Sequence, residues 1–420
     1  MGDWRAFGAR RYRPFQLLAV AQGFIGVLTG PAITIPLLLA LGAHPALATI
    51  LSVLPVLGTT AQRLVPTLLD RTEGNLRGLV LLAVTIGEPR GLILAAIVCW
   101  AAAGGLPHPV AIGLLALVVG TQGSLGAIGY GLLQGWYQII LPDEERRLIG
   151  PRLSGVTLGI GAVVLLPLAI LIDGWVHAIG LYAYAVPYAI AGAAGVAAAV
   201  LERRLPSPGR VRVPRAKPEP GANDHRLRRL AGVLMLASLA GGLSPFLTVY
   251  AISVLGTGPG FAIAISAVSS ATLVAASVVF SSQLRRGSSS RLLRHSFLIR
   301  GTALFVALAA FPANPLAPAI LIVVAILLAV GDTAGQLSAN ERLYRLAVGP
   351  SVIAFQVRFV LANVGCYTAG MVVAATVMLL GGFPSFAILF GSAGTVRFLA
   401  ARYTELSDRR STETVPPANR

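Results

Sequence analysis

The sequence predicts an all-α integral membrane protein in which twelve transmembrane helices form two six-helix bundles related by pseudo-twofold symmetry. Three observations carry this. Of 420 residues, 55% are hydrophobic and 12% charged, with a mean hydropathy of +0.78; soluble domains carry roughly a quarter charged residues. Apolar runs recur along the chain at the ~20-residue length that crosses a bilayer. Residues 202–229, ERRLPSPGRVRVPRAKPEPGANDHRLRR, hold nine Arg or Lys and five Pro. That composition cannot bury enough apolar surface to offset its ordering entropy, so it reads as a solvated linker between two halves.

The elements follow in order. A basic N-terminal segment, 1–15, leads into the first apolar run, which has span length and no small-residue cleavage site, and so reads as a first span rather than a removed signal. In the first half, 16–201, spans are expected near 16–42, 46–69, 78–103, 109–139, 152–173 and 177–200. In the second, 230–402, they are expected near 230–255, 259–284, 295–312, 316–340, 350–381 and 384–402, followed by a polar tail over 403–420 read as disordered. The positive charges set the orientation. GAHPA, GGLPHP, DGWVH, GTGPG, PANP and GGFP contain no Arg or Lys, whereas the alternate loops hold Arg71 and Arg77; Arg146, Arg147 and Arg152; the linker; Arg285 to Arg294; and Arg342 and Arg345. Cytoplasmic loops collect such charges, which places both termini and the linker in the cytoplasm of a cell (inner) membrane protein. The net charge of +17 is therefore a topology signal rather than a nucleic-acid footprint.

The halves echo each other. GYGLLQGWYQIILPDEERRLIGPRLSG closes span four and GDTAGQLSANERLYRLAVGPSVIAFQVR closes span ten, each with a charged loop and a Gly-Pro step. Arg90-Gly91 and Arg300-Gly301 recur in spans three and nine, although Arg77 to Arg90 is 13 residues and Arg291 to Arg300 is 9. A duplicated six-span unit is the arrangement of a rocking transporter.

These features resemble the major facilitator superfamily over nearly the whole chain. Its signature after span two, roughly G-x-L-a-D-R-x-G-R-R, is matched in type by Leu68 or Leu69, Asp70, Arg71, Gly74 and Arg77 in PTLLDRTEGNLR, with Pro66 in place of the first Gly and one residue inserted before Gly74. LPDEERRLIGPR resembles the P-x-E-R-R-x-x-x-G-x-R loop of poorly characterised permeases of that superfamily. The resemblance implies alternating access, with spans one, four, seven and ten lining a cavity and three, six, nine and twelve outside it. Asp70 stands where it can meet a helix N-terminus, and Arg71 and Arg77 where they can bridge to acidic groups of the other bundle. Arg146, Arg152 and Arg358 join them as gating or ion-pair candidates; their plain alternative is topology signalling.

Ionisable residues at membrane depth are functional candidates by default. Glu88 and Arg90 sit in VTIGEPRGLIL; counted from Arg77, Glu88 is roughly 16 Å deep. Two positions apart on a helix they do not face each other, and Pro89 breaks the helix between them. Glu88 reads either as a coupling carboxylate or, because span three lies outside the implied cavity, as part of a structural kink. In span ten Asp332, Gln336 and Asn340 form one polar stripe. Asp332 is expected to pair with Arg358 of span eleven, either as a fixed structural ion pair or as a titrating site, and it is the leading coupling candidate. Tyr130, Gln134 and Tyr137 or Gln138 share a face of span four; Gln22 stands in span one and Tyr250 in span seven. Arg63, Arg300 and Arg397 read as boundary residues that snorkel.

The absences also decide something. The sequence has no phosphate-binding loop of the GxxxxGK type and no HExxH. Cys99 and Cys366 lie in apolar runs, and no paired carboxylates or nucleophile and base stand at catalytic spacing. The expected function is not enzymatic and needs no cofactor or metal. It is secondary transport of a small solute through the bilayer by a monomer, with protons as candidate coupling ions and export as the favoured direction. The rivals are a uniporter of a neutral or hydrophobic compound and a non-transporting sensor or assembly scaffold.

Overall fold

The computed structural model describes residues 13–140, 143–205, 224–243, 247–284, 289–346 and 351–413. Two compact units make up the chain: Met1–Arg215 with Thr257–Ala267, and Ala216–Gly256 with Val268–Arg420. Every predicted span is helical, and several are interrupted where the sequence removes a donor or a Cβ. Span one is Arg13–Leu28 and Pro31–Ala40, parted at Thr29-Gly30, where Pro31 starts the second piece without needing a backbone N–H. Span two is Pro45–Gly58, a tight 3₁₀ turn over Thr59–Leu64, and Val65–Arg71. Span three is Leu76–Gly87 and Arg90–Ala102, with Glu88-Pro89 at the break. His108–Ile140, Asp143–Ile179 and Tyr182–Arg203 complete the first set. The second set is Asp224–Leu243 with Leu247–Ser253, then Pro259–Leu284, Ser289–Ala307, Ala317–Leu346, Ser351–Met378 and Gly382–Glu413.

Ten helices among the described residues are long and apolar enough to cross a membrane. Span nine falls short because Arg291, Arg294, His295 and Arg300 lower its hydropathy, and span eleven counts as a shorter apolar stretch, Ala362–Met378. The outward faces are apolar: Val163, Ile170 and Val278 are about 70% exposed. Such faces suit lipid, which is as apolar as the side chains themselves. The chain is an integral, multi-pass membrane protein.

Three expected boundaries move. DGWVH is not a loop: span five continues to Ile179, and the reversal comes at Gly180, whose φ of 58° suits a residue without a Cβ. This frees Asp173 to accept a hydrogen bond from the Gly260 backbone N–H at 2.8 Å, next to the start of the helix Pro259–Leu284. The tail is helical to Glu413, because Arg402 and Arg294 both pair with Glu405 and hold its first turns. The linker segment begins as helix, so Glu202 is a buried helical residue.

Packing is repeated between the two units. In the first, span six packs on spans three and one, and span five packs on span one. In the second, span twelve packs on spans nine and seven, and span eleven on span seven. The closest approaches use glycine. A Cβ at Gly91 would lie 2.3 Å from Gly192 N, and one at Gly195 would lie 2.0 Å from the Glu88 carbonyl oxygen, so span six fits against the break in span three. In the second unit a Cβ at Gly242 would lie 2.1 Å from Tyr367 O.

Candidate functional site

Each unit holds its own set of charged side chains at membrane depth, and both sets are built on the Arg-Gly pair of the third helix. In the first unit Gly91 lies against span six while Arg90 turns the other way. Its guanidinium donates to Thr29 Oγ1 at 3.1 Å. It also donates to Gln122 of span four, whose amide oxygen, turned toward it, accepts at 2.7 and 3.1 Å. Glu88 and Arg90 feel each other's charge, but these are the groups that take the hydrogen bonds of Arg90, as expected for positions facing apart. Gln22 of span one is placed to hydrogen-bond Glu88.

Glu202, at the C-terminal end of span six, is fully buried, and neither carboxyl oxygen has a hydrogen-bond partner among the described residues; Glu88 Oε2 is in the same condition. The two carboxyls are within electrostatic reach of each other. Reading 202–229 as solvated linker hid Glu202. The available signal was its register: Tyr188, Gly192, Gly195, Ala199 and Glu202 follow one helical face, the face turned to span three.

In the second unit Gly301 lies beside Gly394 and Phe398 of span twelve, and Arg300 crosses span ten over Gly331 and Gly335. A Cβ at either glycine would come within 2.6 Å of the Arg300 side chain. There Arg300 Nε meets Asp332 Oδ1 at 2.8 Å, with side-chain exposures of 11% for the arginine and 57% for the aspartate. Asp332 thus has Arg300 as a partner, while the side chain of Arg358, its expected partner, lies outside the described residues. It stands 11 residues into Ser289–Ala307, about 16 Å along the axis and too deep for snorkelling. Arg397 does not snorkel outward: it is 5% exposed, within electrostatic reach of both Arg300 and Asp332, and beside Gly241.

The two arrangements are counterparts. Gln122 follows Arg90 and Asp332 follows Arg300 at the same separation, 32 residues. Third and fourth helices are therefore bridged alike in both units, with a neutral acceptor in one and a charged acceptor in the other. Gln122→Leu, which strands the Arg90 guanidinium, is expected to lower stability by about 1–3 kcal/mol. Gln122→Asp reproduces the pairing of the other unit and is expected to be tolerated; thermal unfolding midpoints of the purified protein check both.

The remaining candidates are scattered. Gln336 is exposed one turn beyond Asp332 on the stripe, while Thr333 and Ser338 behind them are buried. Tyr250 is fully buried, its hydroxyl donating to the Ala310 carbonyl and its ring set against Phe386 and Phe390 at 5.0 and 5.7 Å, so it packs a core. Asp70 and Arg71 are exposed at the end of Val65–Arg71. Arg77 donates to the Arg203 carbonyl at 3.0 Å, a cation on the C-terminal end of span six within the same unit. Arg63 is exposed. The side chains of Tyr130, Gln134, Tyr137, Gln138, Arg146, Arg152, Asn340 and Arg358 lie outside the described residues.

The two units pack alike, and each holds charged side chains in its interior. No protein-family model and no curated protein matches the chain. Solved structures do. The nucleoside transporter NupG matches at TM-score 0.61 and 16% identity, over 96% of this chain and 99% of that one. The inward-open xylose transporter XylE from E. coli matches at 0.68 and 13%, over 93% and 94%. A POT family transporter in complex with 5-aminolevulinic acid matches at 0.70 and 13%, over 97% of both chains. The chain has the major facilitator fold of these transporters.

Proposed function

We propose that this protein is a secondary transporter that moves a small solute by alternating access, with Asp332 as the residue that couples solute movement to protons. The observation that carries the reading is the Arg300–Asp332 pair, on two membrane-length helices, whose carboxylate is exposed while its guanidinium is buried. A carboxylate so placed can exchange Arg300 for a proton or for a solute, and the third-to-fourth helix bridge changes with it. Glu88, held by Gln22 beside the break in span three, is the second coupling candidate. The orientation has both termini in the cytoplasm of the cell (inner) membrane, and the working unit is a monomer with export as the favoured direction.

The test is flux. Protein reconstituted in proteoliposomes with an imposed proton gradient and an internal pH dye is supplied with pools of sugars, nucleosides, peptides and small acids. The wild type is expected to dissipate the gradient saturably with one chemical class, and Asp332→Asn to lose that coupling at least tenfold. If Asp332→Asn and Glu88→Gln both keep gradient-driven flux, proton coupling through these residues is wrong. If no class moves saturably while the protein co-purifies with a partner, the non-transporting scaffold reading replaces transport.

A further inference from the structure

The charge balance of the second unit identifies what its solute carries. Arg300, Asp332 and Arg397 lie within electrostatic reach of one another, two cations with one carboxylate. Asp332 is already committed to Arg300. Arg397 is 5% exposed, and its Nε and Nη1 have no hydrogen-bond partner among the described residues. The first unit shows why this matters. Glu88 and Glu202 are also short of partners, but a carboxyl can shed its charge by binding a proton, whereas a guanidinium keeps its charge at every pH a cell reaches. Two buried cations that share one carboxylate leave a positive charge unmatched, an unfavourable state at membrane depth, so the pair calls for a second anion that the described residues do not supply.

We infer that Arg397, with Arg300, forms the binding site for the anionic group of the transported solute, a carboxylate or phosphate-type oxyanion. A guanidinium recognises these planar or tetrahedral oxygen groups by charge-assisted hydrogen bonds. Glycines set the two guanidinium groups: Gly331 and Gly335 let Arg300 lie flat on span ten, and a Cβ at Gly241 would stand 3.7 Å from Arg397 Nη2. Asp332, the exposed member of the group, marks the side from which the anion enters, and it competes with that anion for Arg300. The inference rests on the transporter reading and adds the charge of the solute to it.

The test uses the full chain in phosphatidylcholine nanodiscs, unfolded thermally at constant ionic strength with the sodium salts of phosphate, sulfate, succinate and benzoate against chloride, and with uncharged xylose and uridine. At least one oxyanion is expected to raise the wild-type midpoint saturably, because a ligand of the folded state stabilises it by mass action. The apparent Kd is expected to rise at least tenfold in Arg397→Gln and several-fold in Arg397→Lys, which keeps the charge and loses the planar fork. Arg402→Gln, at the exposed cytoplasmic end of the same helix, is expected to bind as the wild type does. Should Arg397→Gln fail to fold, Arg397→Lys carries the comparison. Equal responses in wild type and variant, or no response to any oxyanion, overturn the inference. If xylose or uridine then shifts the midpoint, transport stands and only the solute's charge is revised. A response to exchanging the lipid for phosphatidylglycerol, with none to soluble salts, also overturns it and assigns Arg397 to a lipid headgroup.

Discussion

Asp332→Asn is expected to destabilise the protein by about 2–3 kcal/mol, and Arg300→Gln by clearly less, although the two substitutions break one ion pair. The asymmetry follows from exposure. Arg300 is 11% exposed and Asp332 57%, so loss of the arginine leaves a carboxylate that water can solvate. Loss of the carboxylate leaves Arg300 and Arg397 within electrostatic reach of each other without the anion they share. Breaking a fully buried pair costs about 3–5 kcal/mol; the open face of Asp332 places this case below that range. Thermal midpoints of the single and double variants in one detergent measure it, and the double-mutant cycle isolates the pair from its surroundings. Equal losses for the two single variants would show that exposure does not govern this pair.

Gly195→Ala is expected to lower stability by about 3 kcal/mol, the upper end of the overpacking range, although it adds only a methyl group. The new Cβ would stand 2.0 Å from the Glu88 carbonyl oxygen and 2.5 Å from its carbon. These are backbone atoms at a helix break and cannot swing aside as a side-chain end can. Relief requires spans three and six to part, which loosens the Gly91–Gly192 contact one turn away and moves Glu88 relative to Gln22. Gly126→Ala, where nothing lies within 4 Å of the added atom, is the control and is expected to be neutral or slightly stabilising as a better helix former. The difference between the two midpoints, in the same detergent, checks the claim.

Much of the fold was legible because the bilayer restricts the options. A chain in lipid must satisfy its backbone within each segment, so length and apolarity alone reveal helices, and the Arg-poor and Arg-rich loops alternate between them. The interruptions were legible where a particular residue causes them, as Pro89 does in span three and Pro31 in span one. Helix ends were less so. The chain runs straight through DGWVH and beyond Arg402 because Asp173 and Glu405 find partners on other helices, which no local pattern announces.

The candidate site divided along the same line. Depth along a helix is a matter of counting, and that singled out Glu88, Arg90 and Asp332. Partners are a matter of which faces meet. Counting placed Arg300 and Arg397 near a boundary; packing sets Arg300 on the Gly331–Gly335 face of span ten, against Asp332, and buries Arg397 within electrostatic reach of both. Glu202 shows the same limit in reverse, since Arg203 and Arg204 next to it in sequence are exposed while Glu202 itself is fully buried. Composition and charge order by themselves determined that this is a multi-pass helical membrane protein with an internally repeated plan. Only the tertiary structure decided which buried charges are matched and which are left over, because the electrostatic cost of a charge depends on the few ångströms around it and not on its place in the chain.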